Sequence, residues 1–181
     1  MLELILEELR EKMEKSIVAL NHELSTVRTG RANPTMLDRV AVDYWGEKTP
    51  LNQTASISVV EGRQLMIKPY DKSILKDIEH AIYEANLGLT PQNDGEVIRI
   101  NVPALTEERR KEYVKMAKKF AEDAKVALRN IRRAANDDIE KSDLSEDEEK
   151  RGKEKVQKIT DEYVKKIDQL ADEKAKDIMT V

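Results

Sequence analysis

The sequence predicts an α+β protein in which a compact mixed unit is inserted into a bundle of three long helices. Three observations lead to this prediction. Apolar residues recur every three or four positions at both ends of the chain, they alternate with polar residues in the middle, and all five prolines fall between Pro34 and Pro103. We therefore expect residues 1–29 and 106–181 to form the bundle and residues 30–105 to form the inserted unit.

The first predicted helix covers residues 2–28. Its apolar stripe consists of Leu6, Leu9, Met13, Ile17, Leu20, Leu24 and Val27. Gly30 follows this stripe, as is typical of a helix C-terminus, and Asn33-Pro34 prevents the helix from resuming. The helix should therefore end just before Gly30.

The middle of the chain predicts short strands and one short helix. The alternating apolar residues that indicate strands are Val40, Val42 and Tyr44, then Ala55, Ile57 and Val59, then Leu65 and Ile67, then Val97 and Ile98 to Val102. Turns are indicated at Gly46-Glu47, Glu61-Gly62-Arg63 and Asn93-Asp94-Gly95. The helical pattern consists of Ile74, Leu75, Ile78, Ile82 and Ala85, and Gly88 should end it.

Two more long helices follow Pro103. Thr106 can cap the first of them, and Ser145 with Glu148 forms a possible capping box for the second. The apolar stripe of the first is Met116, Phe120, Ala124, Ala127, Leu128, Ile131, Ala135 and Ile139. The stripe of the second is Val156, Ile159, Tyr163, Ile167, Leu170 and Ile178.

A lone amphipathic helix cannot bury its apolar stripe, so the simplest arrangement packs the three helices together. The inserted unit is then joined to the bundle by two short connections, residues 30–34 and 103–106. Two such connections make a hinge plausible, between a rod-like arm and a globular arm of an elongated molecule.

Positive charge should follow one side of the helix after Pro103. Basic residues occur there seven positions apart, at Lys111, Lys118, Lys125 and Arg132. With Lys115, Arg129 and Arg133 they would form a stripe roughly 30 Å long. Residues 109–133 hold ten Lys or Arg against three acids, although the whole chain carries −4, so the stripe favours an oriented polyanion partner. An ordinary solvated helix face is the alternative interpretation.

Little in the sequence indicates an enzyme. His22 and His80 should face solvent, and there is no Gly-rich phosphate loop, nucleophile elbow or metal-spaced cluster. The chain has no cysteine, no uncharged apolar run of membrane-spanning length and no signal peptide pattern. We expect no catalytic residue, metal, cofactor or small-molecule substrate. Tyr44 and Trp45 could stack on bases, but packing in the core or at the hinge is the favoured interpretation.

Several strings resemble the bacterial ribosome recycling factor family. They are Val27-Arg28-Thr29-Gly30-Arg31-Ala32 with Pro34, Val42-Asp43-Tyr44 with Gly46 and Thr49-Pro50-Leu51, Leu87-Gly88-Leu89, Leu105 to Lys111, Val126 to Arg133, and Val156-Gln157-Lys158 with Thr160-Asp161. The resemblance covers essentially the whole chain. It implies an L-shaped protein with the outline of a transfer RNA, made of a three-helix bundle and an inserted β/α/β domain.

The resemblance also implies a function. Members of the family bind large-subunit ribosomal RNA in the post-termination ribosome and act with elongation factor G, which hydrolyses the nucleotide, to separate the subunits. The arginines matching Arg129, Arg132 and Arg133 face ribosomal RNA, and we expect Arg110, Lys111, Lys118 and Lys125 to extend this set. The expected hinge residues are Arg28, Gly30, Arg31, Pro34, Pro103, Ala104, Leu105 and Thr106.

We also expect a cytoplasmic monomer that uses no membrane. The competing interpretation is a helical adaptor or chaperone whose apolar stripes bind partner proteins and whose charges only aid solubility. Pelleting with ribosomes at moderate salt distinguishes the two, because an adaptor should stay in the supernatant.

Overall fold

A computed structural model describes residues 1–180 and confirms the predicted α+β class. The described chain divides into two compact units. One consists of residues 1–27 and 107–179, and the other of residues 28–106 together with Thr180. The first unit is helical and the second contains the strands.

Three long helices form the first unit within the described residues: α1 (Leu2–Ser25), α4 (Glu107–Lys141) and α5 (Glu146–Met179). Their buried side chains include Leu9, Met13, Leu20, Leu128, Ile139, Val156 and Ile167. The Ser145 hydroxyl accepts a hydrogen bond from the Glu148 backbone N–H at 3.2 Å, so the predicted cap of α5 is present. Buried Tyr163 of α5 donates its hydroxyl proton to Glu14 of α1 at 2.9 Å.

The end of α1 differs from the prediction. The helix ends at Ser25 rather than just before Gly30, and Gly30 does not adopt the left-handed conformation of a C-terminal glycine. The hydroxyls of Ser25 and Thr26 donate to the carbonyls of His22 and Glu23, each at 2.6 Å. Hydroxyl side chains at these positions satisfy the last carbonyls and so compete with continued helix.

The second unit contains an antiparallel hairpin and a four-stranded antiparallel sheet in the order β3-β4-β6-β5, both within the described residues. The strands are β1 (Ala41–Tyr44), β2 (Glu47–Pro50), β3 (Ala55–Val60), β4 (Gln64–Pro69), β5 (Pro91–Asn93) and β6 (Ile98–Asn101). Helices α2 (Leu51–Thr54) and α3 (Leu75–Glu84) and two 3₁₀ turns, Pro34–Leu37 and Lys72–Ile74, complete the unit. Its core contains Val42, Leu65, Ile67, Ile78, Ile82, Ile98 and Ile100.

The sequence pattern missed β2 and β5, because Glu47, Lys48, Gln92 and Asn93 are exposed and leave no apolar alternation to detect. These two strands form through pairing with β1 and β6, whose patterns were recognised. The pattern also missed α2, which is only four residues long.

In the second unit, the first hairpin turn and the end of α3 both come earlier in the chain than predicted. The first hairpin turns at Trp45-Gly46 rather than Gly46-Glu47, since Tyr44 pairs with Glu47. Helix α3 ends at Glu84, and Asn86 already has a φ of +51°, before Gly88 is reached. Asparagine tolerates the left-handed region better than most residues, which explains the earlier end of α3.

Candidate nucleic-acid interface

Helix α4 carries all seven residues that were expected to bind ribosomal RNA. Four of them are exposed, namely Lys111, Lys118, Arg129 and Arg133. Three are half-buried, namely Arg110, Lys125 and Arg132. We call the exposed four the basic face of α4.

The prediction that the cations spaced by seven residues share one exposed side of α4 is wrong. Positions seven apart on a straight α-helix drift by about 20° per heptad. From exposed Lys111 and Lys118, the series therefore winds to half-buried Lys125 and Arg132, which contact side chains of α5. The stripe thus begins in solvent and ends in the groove between α4 and α5.

Lys125 forms ion pairs in this groove. Its Nζ lies 2.5 Å from Oδ1 of Asp168 on α5 and 3.6 Å from Oε1 of Glu122, and its side chain is 20% exposed. The hydrogen bond to Asp168 is the main cause that raises the pKa of Lys125, against the opposing effect of burial. The ratio of ten cations to three acids along residues 109–133 therefore understates the pairing of Lys125, because its closer partner, Asp168, comes from another helix.

Arg132 contacts an amide in the same groove. Its Nη1 donates to Oε1 of Gln157 on α5 at 3.3 Å, and Nε2 of Gln157 donates to Oδ1 of Asp161 at 2.8 Å. The Nε of Arg132 is buried and has no hydrogen-bond partner among the described residues. Gln157 and Asp161 occur in a string that carries the family resemblance, but only the packing of α5 on α4 brings them to Arg132.

The basic face retains most of its positive charge. In the part of the chain that the structure describes, no carboxylate lies within ion-pair distance of Lys118, Arg129 or Arg133. Lys111 has one such neighbour, Glu107, at 3.8 Å on the preceding turn. Exposed pairs of this kind are weak and exchange readily with solvent or another anion.

The expected hinge residues lie in two segments without helix or strand, apart from Pro34, which begins a 3₁₀ turn. Both segments are fixed on the second unit by the turn between β3 and β4. The Ala32 N–H donates to the Gly62 carbonyl and the Val102 N–H donates to the Arg63 carbonyl, each at 2.8 Å. The backbone between these two anchors and the helices is therefore limited to residues 26–31 and 103–106.

His22 and His80 are exposed, as predicted, and His80 Nε2 lies 3.0 Å from Oε1 of Glu84. The predicted packing of Trp45 is wrong, since this residue is 85% exposed at the tip of the first hairpin. Tyr44 is half-buried against the core of the second unit.

Residues 1–180 contain no cluster of three or more His, Asp or Glu side chains arranged to hold a metal. Over the same residues, no helix combines the length and the apolar character needed to span a membrane.

Comparison with known proteins gives consistent matches over the chain. The family model described as Ribosome recycling factor matches residues 20–179. The ribosome-recycling factors of Bacillus subtilis and Bacillus licheniformis are 59% and 58% identical to this chain, and each alignment covers 98% of both sequences.

Two solved structures are also similar. A solution structure of ribosome recycling factor has a TM-score of 0.78 at 41% identity, covering 99% of this chain and 98% of that one. A model of the T. thermophilus ribosome recycling factor has a TM-score of 0.66 at 45% identity, covering 99% of this chain and all of that one. That relative is bound, with E. coli elongation factor G, to the E. coli post-termination complex.

Proposed function

The chain belongs to the ribosome recycling factor family, and we propose that it binds the post-termination ribosome and splits it into subunits together with elongation factor G and GTP. The T. thermophilus relative, which is bound with elongation factor G to a post-termination complex, supports both partners. In this proposal the protein acts as a cytoplasmic monomer. Elongation factor G hydrolyses the nucleotide, and this chain needs no cofactor.

The observation that carries the proposal is the basic face of α4. Its exposed cations lie on a single rigid helix and are mostly free of carboxylate partners. Arginine presents a planar set of N–H donors that matches phosphate geometry, so Arg129 and Arg133 are suited to the RNA backbone. Arg132, Arg110, Lys111 and Lys118 extend the same contact, and Lys125 supports it from within the groove.

Reversal of one charge on the basic face tests this contact. Arg129→Glu should weaken binding to isolated large ribosomal subunits by about 10-fold or more, since it removes a charge-assisted contact and adds repulsion. Its melting temperature should change little, because Arg129 is exposed. Affinity can be measured by sedimentation of labelled protein with the subunits.

Lys165→Glu is the matched control. Lys165 is exposed on α5, forms no ion pair among the described residues, and its reversal changes the net charge equally. Equal losses for the two variants would indicate attraction to the ribosome as a whole and would argue against a specific contact by α4.

Splitting activity itself needs a separate assay. Breakdown of post-termination complexes should require this protein, elongation factor G and GTP, and should stop when any one of them is omitted. Breakdown without elongation factor G, or unchanged breakdown without this protein, would contradict the proposed role.

The second part of the proposal is that the two connections act as a hinge during splitting. The anchors at Ala32 and Val102 restrict any bending to short segments, residues 26–31 and 103–106. Short hinges of this kind absorb a rotation while the bodies on either side stay rigid. The basic face would then hold the bundle on RNA while elongation factor G moves the inserted unit.

A covalent link across the connections tests the hinge. The natural chain has no cysteine, so Gly30→Cys with Thr106→Cys can be joined selectively, directly or through a bifunctional thiol reagent. A Cβ at residue 30 would meet no atom closer than 4.0 Å. The linked protein should bind large subunits normally but fail to split post-termination complexes. The unlinked protein, with both thiols free, should bind the subunits and split the complexes. Splitting by the linked form would remove the need for bending.

A further inference from the structure

Arg132 is held differently from the other arginines near the basic face. Arg129 and Arg133 are exposed, whereas Arg132 is half-buried in the groove between α4 and α5. Its Nε is buried inside that groove, so a phosphate can reach the guanidinium only at its Nη groups. The direction in which those groups point therefore depends on what holds the guanidinium from the side of α5.

Gln157 is the residue that holds it. The Gln157 amide accepts from Nη1 of Arg132 through Oε1 and donates to Asp161 through Nε2. A side-chain amide can rotate by 180°, which would turn its N–H donors toward the guanidinium donors. Asp161 opposes that rotation because its carboxylate can only accept. The carboxylate thus keeps the amide oxygen turned toward Arg132.

An amide holds a cation without cancelling its charge, and Lys125 provides the contrast within the same groove. Lys125 faces two carboxylates and is neutralised by them. Arg132, one heptad further along, faces a neutral acceptor, and no carboxylate lies within ion-pair distance of it among residues 1–180. The hydrogen bond to Gln157 holds the Arg132 side chain against α5, while the full positive charge of Arg132 stays available to an anion.

We propose that Gln157 is a positioning residue, which orients the Arg132 guanidinium so that its Nη groups meet a phosphate of ribosomal RNA. This inference rests on the proposed function, because it assumes that Arg132 contacts RNA. Gln157 takes one N–H of Nη1 and the Nε–H is buried, which leaves the other three N–H donors of the Nη groups for the backbone of the RNA. Asp161 acts one step further away by fixing the amide.

A double-mutant cycle on the full-length protein tests the inference, with affinity for isolated large subunits as the measurement. Arg132→Ala should weaken binding by about 10-fold or more. Gln157→Ala should weaken it by about 3- to 10-fold in the natural chain and by less than about 2-fold when Arg132 is already alanine. A merely structural role for Gln157 would give the same loss in both backgrounds.

Two further variants sharpen the test. Gln169→Ala removes another exposed glutamine of α5 that forms no hydrogen bond among the described residues, and it should leave affinity unchanged. Gln157→Glu places a carboxylate against Arg132, so it should weaken binding at low salt. It should also reduce the slope of log affinity against log salt by about one charge.

The outcomes separate the two levels of the proposal. If Arg132→Ala binds normally, the contact between Arg132 and RNA is wrong, and the role of Gln157 fails with it. If Arg132→Ala weakens binding but Gln157→Ala does not, or does so equally in both backgrounds, the positioning role is overturned while the RNA contact stands.

Discussion

Lys125 and Arg132 lie seven residues apart on α4, and each is paired with a different kind of group on α5. Lys125 meets the Asp168 carboxylate and Arg132 meets the Gln157 amide. A carboxylate neutralises the charge of its partner, whereas a neutral amide only orients the partner side chain. Two cations that look equivalent in the sequence therefore have different partners: Lys125 helps to bind α5 to α4, whereas the charge of Arg132 stays available for the proposed contact with RNA.

Removal of the carboxylate at residue 168 should weaken the bundle. Asp168→Asn should lower the free energy of unfolding by about 0.5–1 kcal/mol near neutral pH, because Lys125 then loses its closest ion pair. Denaturant unfolding of the two proteins measures the difference. Asp172→Asn is the control, since Asp172 is exposed and forms no ion pair in the described part of the chain.

The same pair predicts a pH dependence. The pKa of Lys125 is raised above its ordinary value of 10.5 by the hydrogen bond to Asp168. The pair therefore contributes stability that is fully present below pH 10.5 and is lost as pH rises through the pKa in the folded protein. The difference between the natural protein and Asp168→Asn should narrow in that range. A constant difference would mean that the effect of Asp168 does not depend on the charge of Lys125.

At the level of the element, the hairpin of β1 and β2 places a tryptophan in an unfavourable conformation. Trp45 and Gly46 form its two-residue turn with φ values of +52° and +84°. Such turns favour Asn-Gly, because both central residues need positive φ. Trp45 gains little in return, since it is 85% exposed and contacts the Tyr44 ring edge-on at a centroid distance of 6.3 Å.

Relief of this strain should stabilise the second unit. Trp45→Asn should raise its free energy of unfolding by about 0.5–1 kcal/mol, because asparagine tolerates the left-handed conformation and the lost ring contact is exposed. Scanning calorimetry suits the measurement, since Trp45 is the only tryptophan and the tryptophan fluorescence would disappear with it. Trp45→Phe keeps the strain and should leave stability unchanged. A loss of stability in Trp45→Asn would show that the contact with Tyr44 outweighs the strain.

At the scale of the whole molecule, charge distribution matters more than net charge. The chain carries −4, so a uniform distribution would repel RNA. The proposed binding would then depend on the local basic face, whose charges would release counterions from the RNA on contact.

A titration with salt measures this dependence. Affinity for large subunits should fall steeply between low and moderate salt, and each exposed cation removed from α4 should reduce the slope of log affinity against log salt by about one. The series Lys118→Ala, Arg129→Ala and Arg133→Ala provides the test. An affinity that hardly changes with salt would point to apolar contacts, as the adaptor interpretation requires.

The sequence by itself determined the helices of the bundle and the strands with buried alternation. Periodicity is enough there, because a stripe of apolar residues such as Leu9, Met13 and Leu20 has to be buried somewhere. The sequence also located the start of α5 at Ser145, because a serine followed three residues later by Glu148 is the spacing of a capping box. Elements without apolar periodicity, such as β2 and β5, were not recognisable, because pairing with a neighbouring strand creates them.

Only the tertiary structure decided which cations of α4 stay available. A sequence shows neighbours along one helix, and on that evidence Lys111, Lys118, Lys125 and Arg132 are alike. The packing of α5 on α4 brings Asp168 to Lys125 and Gln157 to Arg132 from more than twenty residues away, and the helical drift leaves the first two in solvent. The composition gives the number of charged side chains, but which group pairs with each of them depends on distances in the folded chain.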